Sequence, residues 1–142
     1  GWLYRGGRSG SWEPLDMPVP ISPVACMVNG MALNPGNHRL WVGCDAYYYN
    51  ENRLSLFWSG NYGAADSGEV TWHPATNLGS PLDGSVIGGV RALAADAGGD
   101  PSIVYVARTT AGEGTGSTML AEVLATRDDG TTWEALPAPA SP

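Results

Sequence analysis

Trp12, Trp72 and Trp133 stand 60 and 61 residues apart, and each opens a look-alike segment: Trp12-Glu13-Pro14-Leu15, Trp72-His73-Pro74-Ala75 and Trp133-Glu134-Ala135-Leu136. A unit that recurs at such a period cannot bury its apolar face alone and must stack on copies of itself. The chain therefore reads as a repeat protein, and stacking is the first thing its fold has to achieve.

The repeat extends beyond tryptophan. The same 20 and 21 residues separate Trp12 from Ala32 and Leu33 and Trp72 from Ala92 and Leu93, which matches the predicted strand Met31-Ala32-Leu33-Asn34 to Arg91-Ala92-Leu93-Ala94. Turn-rich breaks follow at 34–38 and 96–101. Second strands come next, Leu40-Trp41-Val42-Gly43 and Val104-Tyr105-Val106-Ala107, then third strands at 53–58 and 119–125. With 20 glycines and 11 prolines as punctuation and no long window of helical apolar spacing, the fold class is all-β.

Four short antiparallel strands per unit is the pattern of a propeller blade, in which radial repetition protects sheet edges. The boundaries are residues 1–15 for the end of one blade, 16–76 for a second, 77–137 for a third and 138–142 for a connector. The expectation is a partial β-propeller of about two and a half four-stranded antiparallel blades, short of the roughly four to eight of a closed ring. The missing blades are expected from a longer polypeptide of which this is a piece, or from other chains.

One turn carries a family resemblance. Thr126-Arg127-Asp128-Asp129-Gly130-Thr131-Thr132-Trp133 resembles the Asp-box (BNR) pattern, Ser/Thr-x-Asp-x-Gly-x-Thr-Trp, of sialidase-like, sortilin-like, xyloglucanase-like and photosystem-assembly-factor propellers. In such a turn the carboxylate of Asp128 accepts backbone N–H bonds, Gly130 supplies an unusual φ and Trp133 wedges between sheets, with Thr126 and Thr132 as hydroxyl partners. The motif locks a hairpin and performs no chemistry. In the middle unit Ser59-Gly60-Asn61 occupies the Ser/Thr-x-Asp place with six extra residues before Thr71-Trp72, and the first unit keeps the glycines and Trp12 but lacks the Ser/Thr and Asp.

Charge narrows the partners. The formal net charge is −7, from 14 acidic and 7 basic residues, all of the latter arginine, which disfavours nucleic acid and anionic membranes. No apolar run approaches the ~20 residues of a membrane-spanning helix. Cys26 and Cys44 fall on neighbouring predicted strands, so either a disulfide or two buried thiols fits. A bridge would close a loop of 18 residue steps, stabilise by ~3 kcal/mol and point to an extracellular or periplasmic location.

No catalytic residue, metal site or cofactor is assigned. His38 and His73 lack a second ligand at metal spacing, and Asp128 and Asp129 belong to the turn. A sialidase-like or xyloglucanase-like glycoside hydrolase needs converging arginines and carboxylates, to which Arg5, Arg91 and Tyr105 are the residues able to contribute.

The most distinctive loop carries Tyr47, Tyr48 and Tyr49. Alternate strand residues face opposite ways, so three consecutive tyrosines cannot all enter a core, and tyrosine suits protein and glycan surfaces. Three functions follow as expectations. The first is a non-catalytic module for binding, assembly or scaffolding in a secreted or envelope protein, with a protein or glycan partner. The others are a fragment of a glycoside hydrolase and a partial propeller that self-assembles into an oligomer or fibre.

Overall fold

A computed structural model describes residues 3–6, 10–15, 26–46, 56–75, 78, 87–96, 98, 100, 102–111 and 119–137. Its strands are β1 (Leu3–Gly6), β2 (Trp12–Leu15), β3 (Cys26–Asn34), β4 (Arg39–Ala46), β5 (Leu56–Ser59), β6 (His73–Pro74), β7 (Ile87–Ala95), β8 (Val104–Ala111), β9 (Met119–Thr126) and β10 (Glu134–Ala135). The described residues form no α-helix; a three-residue 3-10 turn, Ser67–Glu69, is the one helical element among them.

Every strand pairs antiparallel with its neighbour in sequence, in three successive meanders: β1–β2, β3–β4–β5–β6 and β7–β8–β9–β10. One bridge, Asp45 to Gly89, joins the second meander to the third. The chain is all-β, and its sheets do not close on themselves.

The two complete meanders repeat each other down to an irregularity. The β3–β4 ladder slips between Val28 and Gly30, and the β7–β8 ladder slips between Val90 and Ala92. The residue left over in each case, Asn29 or Arg91, is a β-bulge, which bends the strand and increases its twist. Aligned on the bulge, Gly30 and Met31 correspond to Ala92 and Leu93. The tryptophan spacing instead matches Ala32 and Leu33 to that pair, two residues too far along. Because the slip is even, the in–out alternation of side chains is preserved and the pattern looks right in either register. The turns keep the bulge alignment: Asn34 Oδ1 accepts from Gly36 N at 3.0 Å, and Asp96 Oδ1 accepts from Gly98 N at 2.9 Å.

The core lies between the meanders, in two layers. Leu3 and Leu15 of the first unit pack with Val42, Cys44, Phe57 and Trp72 of the second. Trp41 and Leu56, on the other face of that second sheet, pack with Val90, Val104, Val106 and Leu124 of the third, with Trp133 against them. Alternation along β4 thus sends Val42 and Cys44 one way and Trp41 the other, and the middle sheet is covered on both faces.

Glycine sets how close the sheets come. A Cβ built on Gly43 would run into the Val90 side chain, and one on Gly30 would stand 3.3 Å from the Leu93 backbone nitrogen. Asn29 at the first bulge donates its side-chain amide to the carbonyl of Val90 beside the second, at 3.2 Å, so the irregularities of the two sheets meet.

Candidate functional site

The turn at 126–133 is built by short-range hydrogen bonds. Thr126 Oγ1 donates to Asp128 Oδ1 at 2.8 Å and accepts from Gly130 N at 2.8 Å. Asp128 Oδ1 accepts from Thr132 N at 2.8 Å and Oδ2 accepts from Thr132 Oγ1 at 2.7 Å. Hydrogen bonds to the ionised form favour it. The Thr132 hydroxyl first, then the Thr132 amide and Thr126, hold the Asp128 carboxyl below the usual carboxylate range. Asp129 and Gly130 have φ of 60° and 84°, the left-handed pair that reverses the chain.

The middle unit uses the same wiring with different residues. Asn61 Oδ1 takes the place of the carboxylate: it accepts from Ser59 Oγ at 3.1 Å and from Thr71 N at 2.8 Å, as Asp128 does from Thr126 and Thr132. The extra residues between Asn61 and Thr71 carry the 3-10 turn, and Asn61 Nδ2 donates to the Glu69 carbonyl across them at 2.9 Å.

Arginines of the first and second units each clasp the turn of the unit that follows. Arg39 forms an ion pair with Asp129 Oδ2 at 2.6 Å and donates to the Asp129 carbonyl at 3.1 Å, while Asn37 Nδ2 donates to Asp129 Oδ1 at 2.8 Å. Burial pushes the Asp129 carboxyl up, and Arg39 and Asn37 pull against it. The Arg39 guanidinium also lies 3.8 Å from the Trp58 ring centroid, and Trp58 stacks on His73 at 4.2 Å. One layer earlier, Arg5 is held by Glu13 through its Nε at 2.7 Å and donates to the carbonyls of Tyr62, at 3.0 Å, and Ala64.

The three repeat tryptophans meet different fates. Trp72 is buried against Leu3 and Leu15, and Trp133 meets Trp41 edge-on, with ring centroids 6.0 Å apart at 86°. Each covers the unit before its own. Trp12 has no such layer among the described residues and stands 71% exposed, beside Tyr4 at 52%.

Val123 on β9 is 41% exposed, at the place that Leu56 holds in the second unit. On that face lies an apolar hollow of about 490 Å³ lined by Arg91, Ala107, Thr109, Val123, Leu136 and Pro137, among others. Arg91 Nε donates to Thr109 Oγ1 at 2.9 Å at its margin. The hollow also touches Arg108 and Glu122, a directly opposed cross-strand pair whose side chains are 9% and 8% exposed and ion-paired.

The remaining sequence candidates fall in scattered places. Tyr47, Tyr48 and Tyr49 lie outside the described residues. His38 sits in the β3–β4 turn with φ of 55°, and among the described residues no three His, Cys, Asp or Glu side chains gather as a metal site. Arg5 is engaged between the first and second units, whereas Arg91 and Tyr105 belong to the third. Strand β4 is longer than the sequence suggests and takes in Cys44; its ladder sets Val28 opposite Cys44 and Cys26 opposite Ala46, so the cysteine positions are diagonal across it. Cys44 is fully buried, and the side chain of Cys26 lies outside those described. No helix among the described residues is long and apolar enough to cross a membrane.

Sequence reasoning missed Arg39, Asn37, Arg127 and the Arg108–Glu122 pair. The contacts of Arg39 span 90 residues and obey no short-range pattern. The one signal present was the repeated Trp-Glu of Trp12-Glu13 and Trp133-Glu134, whose glutamates pair with Arg5 and Arg127. No protein-family model matches the chain, and no curated protein or solved structure matches it.

Proposed function

We propose that this chain is a non-catalytic module for binding, assembly or scaffolding, built of propeller-like blades of the Asp-box kind. The observation that carries this reading is the stack itself: repeated antiparallel meanders with two covered apolar layers between them. The polar groups at the layers hold sheets together, and Asp128 is consumed by its own turn. Arg5, one of the residues that could contribute to a glycoside hydrolase site, spends its hydrogen bonds here on Glu13 and the next turn.

The reading includes a contact role for Tyr47, Tyr48 and Tyr49 with a protein or glycan, and a Cys26–Cys44 bridge in an extracellular or periplasmic setting. The adjacent strands and full burial of Cys44 support the bridge.

The test pairs turnover with binding. The purified chain is offered aryl glycosides and, separately, immobilised glycans, candidate proteins and itself. Association without glycoside hydrolysis is the expected result; hydrolysis that survives purification to homogeneity would sink the reading. Alanine at all three tyrosines tests the loop, and thiol counting by mass before and after reduction tests the bridge.

A further inference from the structure

Asn29-Gly30 is the one Asn-Gly step in the chain, and it stands where the second and third units meet. The β3–β4 ladder pairs Val28 with Cys44 and Gly30 with Gly43, which leaves Asn29 without a ladder partner at the bulge. Its side-chain amide donates instead to the Val90 carbonyl of the next sheet, at 3.2 Å. The corresponding bulge of the third unit carries Arg91-Ala92, so the Asn-Gly step is particular to this seam.

The same seam imposes the glycine. A Cβ on Gly30 would stand 3.3 Å from the Leu93 nitrogen and 3.5 Å from the Ala92 Cα, both backbone atoms of β7 that cannot turn aside. Close packing of the two sheets therefore places, directly after an asparagine, the residue whose backbone nitrogen is least shielded. Such a nitrogen can attack the asparagine Cγ. A bond from the Gly30 nitrogen to Cγ closes a succinimide ring as the bond from Cγ to the amide nitrogen breaks, and the proton lost by the Gly30 nitrogen departs with the ammonia. Solvent water then adds to either ring carbonyl and opens the ring to aspartate or isoaspartate.

We propose that Asn29 is a self-modification site gated by the seam between the second and third units. With the seam closed, the bond to Val90 holds the amide across to the neighbouring sheet; with it open, Asn29 cyclises onto Gly30. The product resists full reclosure. A carboxylate is an acceptor only, so a negative charge faces the Val90 carbonyl where a donor stood. Isoaspartate also lengthens the main chain by a methylene at the place where Gly30 comes closest to Leu93. Local opening of the layer suffices for the reaction, and the modification both records that opening and favours the next. The site acts whatever the module binds.

Peptide mapping by mass spectrometry tests this, on the 142-residue chain incubated in warm, mildly alkaline buffer, with aspartate and isoaspartate products separated by chromatography. In urea-unfolded chain Asn29 should convert faster than any other asparagine, and in folded chain about tenfold more slowly or less. Val90→Ala keeps the carbonyl that accepts the bond but thins the layer around it, and should raise the folded-state rate severalfold. Should Val90→Ala fail to fold, urea well below the unfolding midpoint takes its place and should raise the rate of the parent. Asn29→Asp, which mimics one product, should unfold at lower urea than the parent. An Asn29 that stays intact even when unfolded overturns the proposal. So does equal conversion in folded and unfolded chain, a folded-state rate that opening the seam leaves unchanged, or an Asn29→Asp chain as stable as the parent.

Discussion

Gly130 faces the edge of the Trp41 ring so closely that a Cβ at that position would stand 2.6 Å from Trp41 Cη2. The glycine is needed twice: its φ of +84° suits no other residue well, and the ring of the preceding sheet fills the space a side chain would take. Gly130→Ala should cost about 2 kcal/mol or more, from overpacking plus left-handed strain. Gly10 has a similar φ of +79° with nothing within 4 Å, so Gly10→Ala isolates the backbone part at about 1 kcal/mol. Urea midpoints of the two variants separate the contributions, and equal losses would mean that Trp41 is not the obstacle.

Gly43 and Val90 are expected to be coupled. The β-carbon of Gly43→Ala collides with the Val90 side chain across the layer. Gly43→Ala should lose about 1–3 kcal/mol. Val90→Ala alone should also destabilise, yet the double variant should be more stable than the sum of the two losses implies. Strict additivity in the double-mutant cycle would contradict the stacking of β4 on β7.

The tryptophans should rank by burial rather than by their place in the repeat. Trp133→Ala and Trp72→Ala each empty a layer between sheets and should cost about 3–5 kcal/mol. Trp12, 71% exposed, should cost well under half of that in dilute solution. Thermal unfolding of the three variants at low protein concentration gives the ranking directly.

Arg108 and Glu122 form a nearly buried ion pair beside the hollow. Removing Arg108 takes the paired cation from the nearly buried Glu122 carboxylate, so Arg108→Met alone should cost about 3–5 kcal/mol. The joint Arg108→Met, Glu122→Leu chain should be near the parent in stability. Chemical denaturation of all four proteins tests this, and a double variant as unstable as the worse single one would count against it.

Acid stability should report the 126–133 turn. The hydrogen bonds from Thr132 and Thr126 depress the folded-state pKa of Asp128 below its unfolded value of 3.8. Its contribution to stability is therefore present above 3.8 and lost as pH falls through the lower folded value. Asp129 has the opposite sign: burial raises its folded pKa above 3.8, so its contribution is present at low pH and lost as pH rises through that raised value. Thr132→Val, which removes the hydroxyl donor to Asp128, should flatten the loss of stability below pH 3.8 relative to the parent. An unchanged profile from pH 2 to 5 would mean that the turn does not sense Asp128 ionisation.

What the sequence by itself determined is everything carried by local spacing. The period of the tryptophans, the alternation of Trp41 and Val42 to opposite faces and the residues of the 126–133 turn all depend on neighbours within one hairpin. The all-β fold and the four-stranded meander were legible for that reason. Only the tertiary structure decided how the units align and what covers them. The two-residue difference between the tryptophan spacing and the bulge alignment is invisible to a pattern of period two. The ion pair of Arg39 with Asp129, the burial of Trp72 and the exposure of Trp12 depend on which sheet lies alongside, and that is set by packing between residues far apart in the chain.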